Sequence, residues 1–107
     1  MDQLNERTKF TLEVTFRDED GNAADPTTAR WRMYCETTVT DLHTGWQPVT
    51  LAGTGTVDID IDASLSRIIT TANKFEVKVI AVEADYDTEQ QISEEYKVRV
   101  KNLRKTV

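Results

Sequence analysis

Alternation of apolar and polar positions runs through most of this 107-residue chain. From Lys9 to Arg17, the residues Phe10, Leu12, Val14 and Phe16 fall on one side, and Lys9, Thr11, Glu13, Thr15 and Arg17 on the other. A period of two is the repeat of a half-buried strand, because successive side chains of extended backbone point to opposite faces. The same repeat recurs at 29–36, with Ala29, Trp31, Met33 and Cys35 inward and Arg30, Arg32, Tyr34 and Glu36 outward. At 57–62 it sets Val57, Ile59 and Ile61 against Asp58, Asp60 and Asp62. Phe75 to Ala84 is nearly all apolar, with Val77, Val79 and Ala81 on one side and Ile80 and Val82 on the other, which predicts a strand that is either central or partly covered on both faces, Val77 and Val79 being assigned to the core. Ile92 to Leu103 closes the pattern, with Tyr96, Val98 and Val100 inward and Lys97, Arg99 and Lys101 outward.

Turn signals separate these runs. Asp18-Glu19-Asp20-Gly21-Asn22 ends the first strand, and Pro26 breaks the chain before the second. Asp41-Leu42-His43-Thr44-Gly45 predicts a hairpin into a short strand, Trp46 to Thr50. Pro48, which lacks an N–H, assigns that strand to an edge. Leu65, Ile68 and Ile69 at i, i+3 and i+4 predict one or two helical turns within 64–70, with Asp62 or Ser64 as cap. The reading is an all-β domain: a two-sheet antiparallel β-sandwich of about seven strands with one short helical crossover. Residues 9–103 make the sandwich, 1–8 an N-terminal arm and 104–107 a basic C-terminal tail.

Length and composition support one domain, since a chain of this size buries roughly two-thirds of its unfolded surface. No apolar run approaches the ~20 residues of a membrane span. The opening Met1-Asp2-Gln3-Leu4-Asn5-Glu6 has no apolar stretch, so synthesis in a cytoplasm without a signal peptide is expected. Cys35, the single cysteine, allows no internal disulfide and reads as a small buried hydrophobe in a reducing compartment. The net charge of −6 is unevenly spread. Residues 1–96 hold all 19 acids and eight of the 13 basic residues, a net of −11, whereas 97–107 hold five basic residues and no acid. A basic end on an acidic body suits docking onto acidic protein surfaces, copies of itself included, and equally reads as the solvated face of a last strand; it disfavours nucleic acid.

Candidate chemistry is sparse. His43 has no second imidazole or nearby cysteine for zinc, and no base to serve besides itself for Ser64, Ser66 or Ser93. Asp58, Asp60 and Asp62 on one strand lie ~6.6 to 6.8 Å apart in succession, too far to share one ion. The Asp18 to Asn22 turn is the denser acidic cluster and the place for a weak ion, though it reads first as a solvated hairpin tip. No catalytic residue, cofactor site or metal site is assigned. A protein interface is expected from Leu4, Trp46, Lys97, Arg99, Lys101, Arg104 and Lys105, with Trp46 as an aromatic anchor beside an edge.

Together, the strand Phe10 to Arg17, the turns Asp18-Glu19-Asp20-Gly21-Asn22 and Pro26-Thr27-Thr28, and the Trp- and Tyr-bearing strand after them carry a family likeness. With Asp41-Leu42-His43-Thr44-Gly45, Val57-Asp58-Ile59-Asp60-Ile61 and Val98-Arg99-Val100-Lys101-Asn102-Leu103, nearly the whole chain resembles small immunoglobulin-like or fibronectin-III-like proteins encoded among tailed-phage virion genes. It departs from antibody-type domains in lacking paired cysteines. The resemblance implies an immunoglobulin-like sandwich and a non-enzymatic structural role in the virion, as head decoration, head-tail junction or tail accessory protein. The partners it implies are other virion proteins and copies of itself, with no nucleic acid, membrane or small-molecule substrate. The competing reading is a ligand- or carbohydrate-binding β-sandwich module, which would need exposed aromatics grouped beside acids or amides.

Overall fold

The structure is a computed structural model that describes residues 2–18, 20–42, 45–86 and 91–103. Its strands are β1 (Asp2–Asn5), β2 (Phe10–Thr15), β3 (Thr28–Cys35), β4 (Thr40–Asp41), β5 (Gln47–Pro48), β6 (Thr56–Ile61), β7 (Phe75–Asp85) and β8 (Gln91–Lys101). The larger sheet has the order β1-β8-β7-β3-β4, with β5 also on β3, and the smaller sheet is the antiparallel pair β2-β6. The long central strand β7 pairs antiparallel with both β3 and β8. Pro48 lies on the outer edge of β3, where its missing N–H costs no ladder bond.

Two expectations are corrected here. The larger sheet is mixed, because β1 runs parallel to β8, with Asp2 opposite Val98 and Asn5 opposite Lys101. The first residues are therefore an edge strand, held further by Glu6 N–H to Lys101 C=O at 2.9 Å and by Leu103 N–H to Glu6 Oε1 at 3.1 Å. Asp2-Gln3-Leu4-Asn5 has too few apolar residues to show the period of two, so its pairing comes from the edge that β8 offers. The helical segment reduces to one 3-10 turn, Ala63–Ser66, that follows Asp62 without a side-chain cap from it.

One core contains residues of both sheets: Val14 and Phe16 from the β2 segment, Val57, Ile59 and Ile61 from β6, Trp31 and Met33 from β3, and Ile80, Val82 and Ala84 from β7. Phe10, Leu12 and Tyr96 pack against it. The inward face of β7 is thus the even-numbered one, and the assignment of Val77 and Val79 to the core face is corrected. Apolar residues on both sides of β7 conceal its facing, and only its pairing with Trp31 (opposite Val82) and Met33 (opposite Ile80) reveals it. Val79 is nevertheless fully buried on the outward side. Two bridges to β8 pass over β7 there, one from β3 and one from the residue that follows it: Tyr34 Oη–H to Glu95 Oε2 at 2.8 Å and Lys97 Nζ to Glu36 Oε1 at 3.2 Å. Long amphipathic side chains covering an apolar strip in this way leave their polar ends in water.

The even-numbered face of β7 also carries Glu76 and Lys78 into the interior, both with no exposed surface. Glu76 Oε1 accepts from Ile69 N–H at 2.7 Å and Lys78 Nζ at 2.9 Å, and Oε2 from Thr70 N–H at 2.9 Å and Asn73 Nδ2 at 3.0 Å. Burial pushes this carboxyl upward, but the two backbone donors, Lys78 and Asn73 outweigh it and hold the pKa down to about 2. Buried Asn102 closes the same end, donating from Nδ2 to Thr71 and Asn73 carbonyls at 3.1 and 3.0 Å. At the other end, Asp25 accepts from Gly53 N–H and Gly55 N–H, each at 2.7 Å. Gly55 has φ +80°, and a Cβ there would lie 2.6 Å from Ala24 N and 2.8 Å from Ala23 C.

Candidate interaction surface

The outward face of β3 presents Arg30, Arg32 and Tyr34 by strict alternation, and β5 brings Trp46 alongside them. Arg30 Cζ lies 4.5 Å from the Trp46 ring centroid and Arg32 Cζ 5.5 Å. Arg32 is also 5.6 Å from the Tyr34 ring and 3.8 Å from Asp41 Oδ1. Arg30 reaches Glu83 on β7 at 3.0 Å. The Arg30 guanidinium, stacked on the indole while hydrogen-bonded to Glu83, is held flat and in place, with little further entropy to lose on binding. The bond to Glu95, then partial burial, raises the Tyr34 phenol above its ordinary pKa, so it stays a donor at neutral pH. Beside this cluster a shallow trough of about 510 Å³ is lined by Ala29, Trp46, Pro48, Val49 and Leu51 among others.

The expected interface residues divide between faces. Lys97 and Arg99 are exposed on the same outward side as Arg30, Arg32 and Tyr34, since Tyr34, Val79 and Lys97 are cross-strand neighbours. Lys97 is tied to Glu36, and Arg99 donates to Gln3 Oε1 at 2.6 Å and stacks 4.6 Å from the Phe75 ring. Lys101 is half-buried between Asn5 and Phe75. Leu4 is half-buried opposite Val100, on the core side of the sheet, so the structure does not bring it to the basic face. Arg104 and Lys105 lie outside the described residues, as does His43.

Other sequence candidates are occupied locally. Asp18 Oδ1 accepts from Asp20 N–H and Asn22 N–H, each at 3.0 Å, which closes its turn; Glu19 is outside the described residues. Asp58 and Asp60 are exposed on the outer face of the smaller sheet, Asp60 accepting from Thr11 Oγ1 at 2.9 Å and Asp58 lying opposite Glu13. Ser66 Oγ–H is buried, facing Thr8 and Ala63 carbonyls at 2.9 and 3.0 Å. Cys35 has no exposed surface, and its Sγ lies 3.9 Å from Glu76 Oε1. Among the described residues no three His, Cys, Asp or Glu side chains converge as metal ligands, and no helix is long and apolar enough to cross a membrane.

Sequence reasoning placed Arg30, Arg32 and Tyr34 outward but did not join them to Trp46. The available signal was an Arg-x-Arg-x-Tyr strand followed one hairpin later by Gly-Trp, which sets the indole across from the arginines. It also missed a cavity of about 340 Å³ between the β2 segment and β8, lined by Val14, Phe16, Arg17, Val82, Glu94 and Tyr96. Burial, then the bond to Glu94 Oε2 at 2.8 Å, pushes the Tyr96 phenol up to about 12. No family model, curated protein or solved structure matches the chain.

Proposed function

We propose that the chain is an immunoglobulin-like β-sandwich that works by binding other proteins, as a non-enzymatic structural component of a tailed-phage virion. The observation that carries the binding reading is the Arg30–Trp46–Arg32–Tyr34 cluster at the β3 edge. Trp, Tyr and Arg are the residues that concentrate binding energy in protein interfaces, most of all where neighbours hold them rigid. The virion setting comes from the family resemblance. Strand order supports the immunoglobulin-like type: β3, β7 and β8 correspond to strands C, F and G, and β2 with β6 to B and E. β1 beside β8 then takes the place of a first strand that has crossed to the G edge.

The carbohydrate-binding alternative needs exposed aromatics grouped beside acids or amides, whereas the Trp46 and Tyr34 rings are covered by Arg30 and Arg32. Mass spectrometry of purified particles tests the proposal. Wild-type chain is expected at stoichiometric copy number, and Trp46→Ala, folded and equally expressed, at a tenth of that level or less. Absence of the wild-type chain from particles, or binding of a glycan panel that Trp46→Ala abolishes, would overturn it.

A further inference from the structure

β8 is eleven residues long, yet β1 covers only Val98 to Lys101 of its outer edge. Among the described residues, no strand lies beside Ser93 to Lys97 on that side. Glu6 N–H donates across this edge to Lys101 C=O, while Asn102 N–H turns the opposite way to Lys74 C=O. Alternate residues of extended backbone aim both polar groups to the same side, so Lys97, Glu95 and Ser93 direct theirs into the open edge. Across the gap, Phe16 N–H donates to Gly55 C=O at 2.7 Å on the β6 side, which turns the backbone of Thr15, Glu13 and Thr11 outward as well. The cavity floored by Val14, Phe16, Val82 and the Tyr96 ring lies between these two edges, which are unpaired among the described residues.

We propose that this open edge of β8 binds an extended segment of a partner protein by strand addition, in line with β1, and that the segment alternates apolar and basic side chains. The backbone groups of Ser93, Glu95 and Lys97 supply hydrogen bonds to any extended chain, and the cavity takes the apolar side chains that point inward. Charge selects the partner. Glu94 and Glu95 stand exposed at the centre of the edge, and the exposed Lys97 next along it is already paired with Glu36 at 3.2 Å. A second copy pairing antiparallel about Glu95 would set Glu95 against Glu95, and charge on an open edge is a usual barrier to such self-pairing. Basic side chains on the outward face, beside Glu95, meet the opposite condition. The inference rests on the protein-binding reading above but uses a different surface.

The test is a nuclear magnetic resonance titration of the full chain with the capped heptapeptide Val-Lys-Val-Arg-Val-Lys-Val. Saturable shifts and slowed exchange are expected at the Ser93, Glu95 and Lys97 amides. Binding should weaken about tenfold or more with glutamate in place of the basic residues, with alternate peptide nitrogens methylated, and in Glu95→Lys. Trp46→Ala should bind the peptide within about twofold of wild type, so loss of its incorporation into particles and loss of strand addition are separable. Shifts confined to other surfaces, no saturable binding, or equal binding of the methylated or acidic peptide would overturn the proposal.

Discussion

Replacing Glu76 by glutamine keeps the side chain's size and removes its charge and one of its two acceptor oxygens. Five donors converge on that carboxylate: two backbone N–H groups, Asn73, Lys78 and, at 3.9 Å, the Cys35 thiol. The substitution leaves the buried Lys78 ammonium facing a neutral group and orphans one or two donors. Breaking a buried pair by removing one partner costs about 3–5 kcal/mol. Linkage gives an independent figure, because a carboxyl held at about 2, against about 4.3 for free glutamate, corresponds to about 3 kcal/mol at neutral pH. The sign follows from the depressed pKa. The contribution is complete above the unfolded pKa and is lost as pH falls through the folded one, so the window runs from about pH 5 to about pH 2. Urea unfolding followed by Trp fluorescence at pH 7 should show a midpoint lowered by about 1–3 M for a loss of about 3 kcal/mol, given slopes of about 1–3 kcal/mol/M. The gap between wild type and Glu76→Gln should close as pH is lowered through that window. Lys78→Met should cost less, since Glu76 keeps its two backbone donors and Asn73. A Lys78→Met loss equal to or greater than that of Glu76→Gln, or a gap that does not change between pH 5 and pH 2, would refute this reasoning.

Gly55→Ala places a Cβ against Ala24 N and Ala23 C at positive φ and should cost about 2–5 kcal/mol in the same assay, from backbone strain plus overpacking. Gly53→Ala, at φ +83° with nothing within 4 Å, should cost about 1–2 kcal/mol, and equal losses at the two positions would contradict the close-approach argument. The Cys35 thiol, fully buried, should resist a thiol-specific reagent in the native chain and react in urea at the rate of unfolding; immediate labelling of native protein would refute its placement.

Much of the architecture is legible from the period of two. Phe10 to Phe16, Trp31 to Cys35 and Val57 to Ile61 each show one apolar face, and the structure buries most of those positions. What was not legible has physical causes. In β7 the run Val79-Ile80-Ala81-Val82 is apolar on both sides, so periodicity cannot choose a face. The choice that buries Glu76 and Lys78 runs against hydropathy and becomes tolerable only through donors supplied by a loop. β1 is specified by an unpaired edge far away in sequence, which no local pattern records. For the interaction surface, the outward placement of Lys97 and Arg99 was readable, but the pairing of Lys97 with Glu36 and the hydrogen bond from Arg99 to Gln3 depend on strand neighbours. The stacking of Trp46 on Arg30 likewise depends on β5 folding back along β3.

The central claim is that the Arg30–Trp46–Arg32–Tyr34 face holds this domain to a protein partner in the particle. Hydroxyl-radical footprinting of Trp46 and Tyr34, in the isolated domain and in purified particles, tests it most directly. The account predicts oxidation of both residues in the free domain and protection of at least about tenfold at Trp46 in the particle. Equal oxidation of Trp46 in the two states would contradict it.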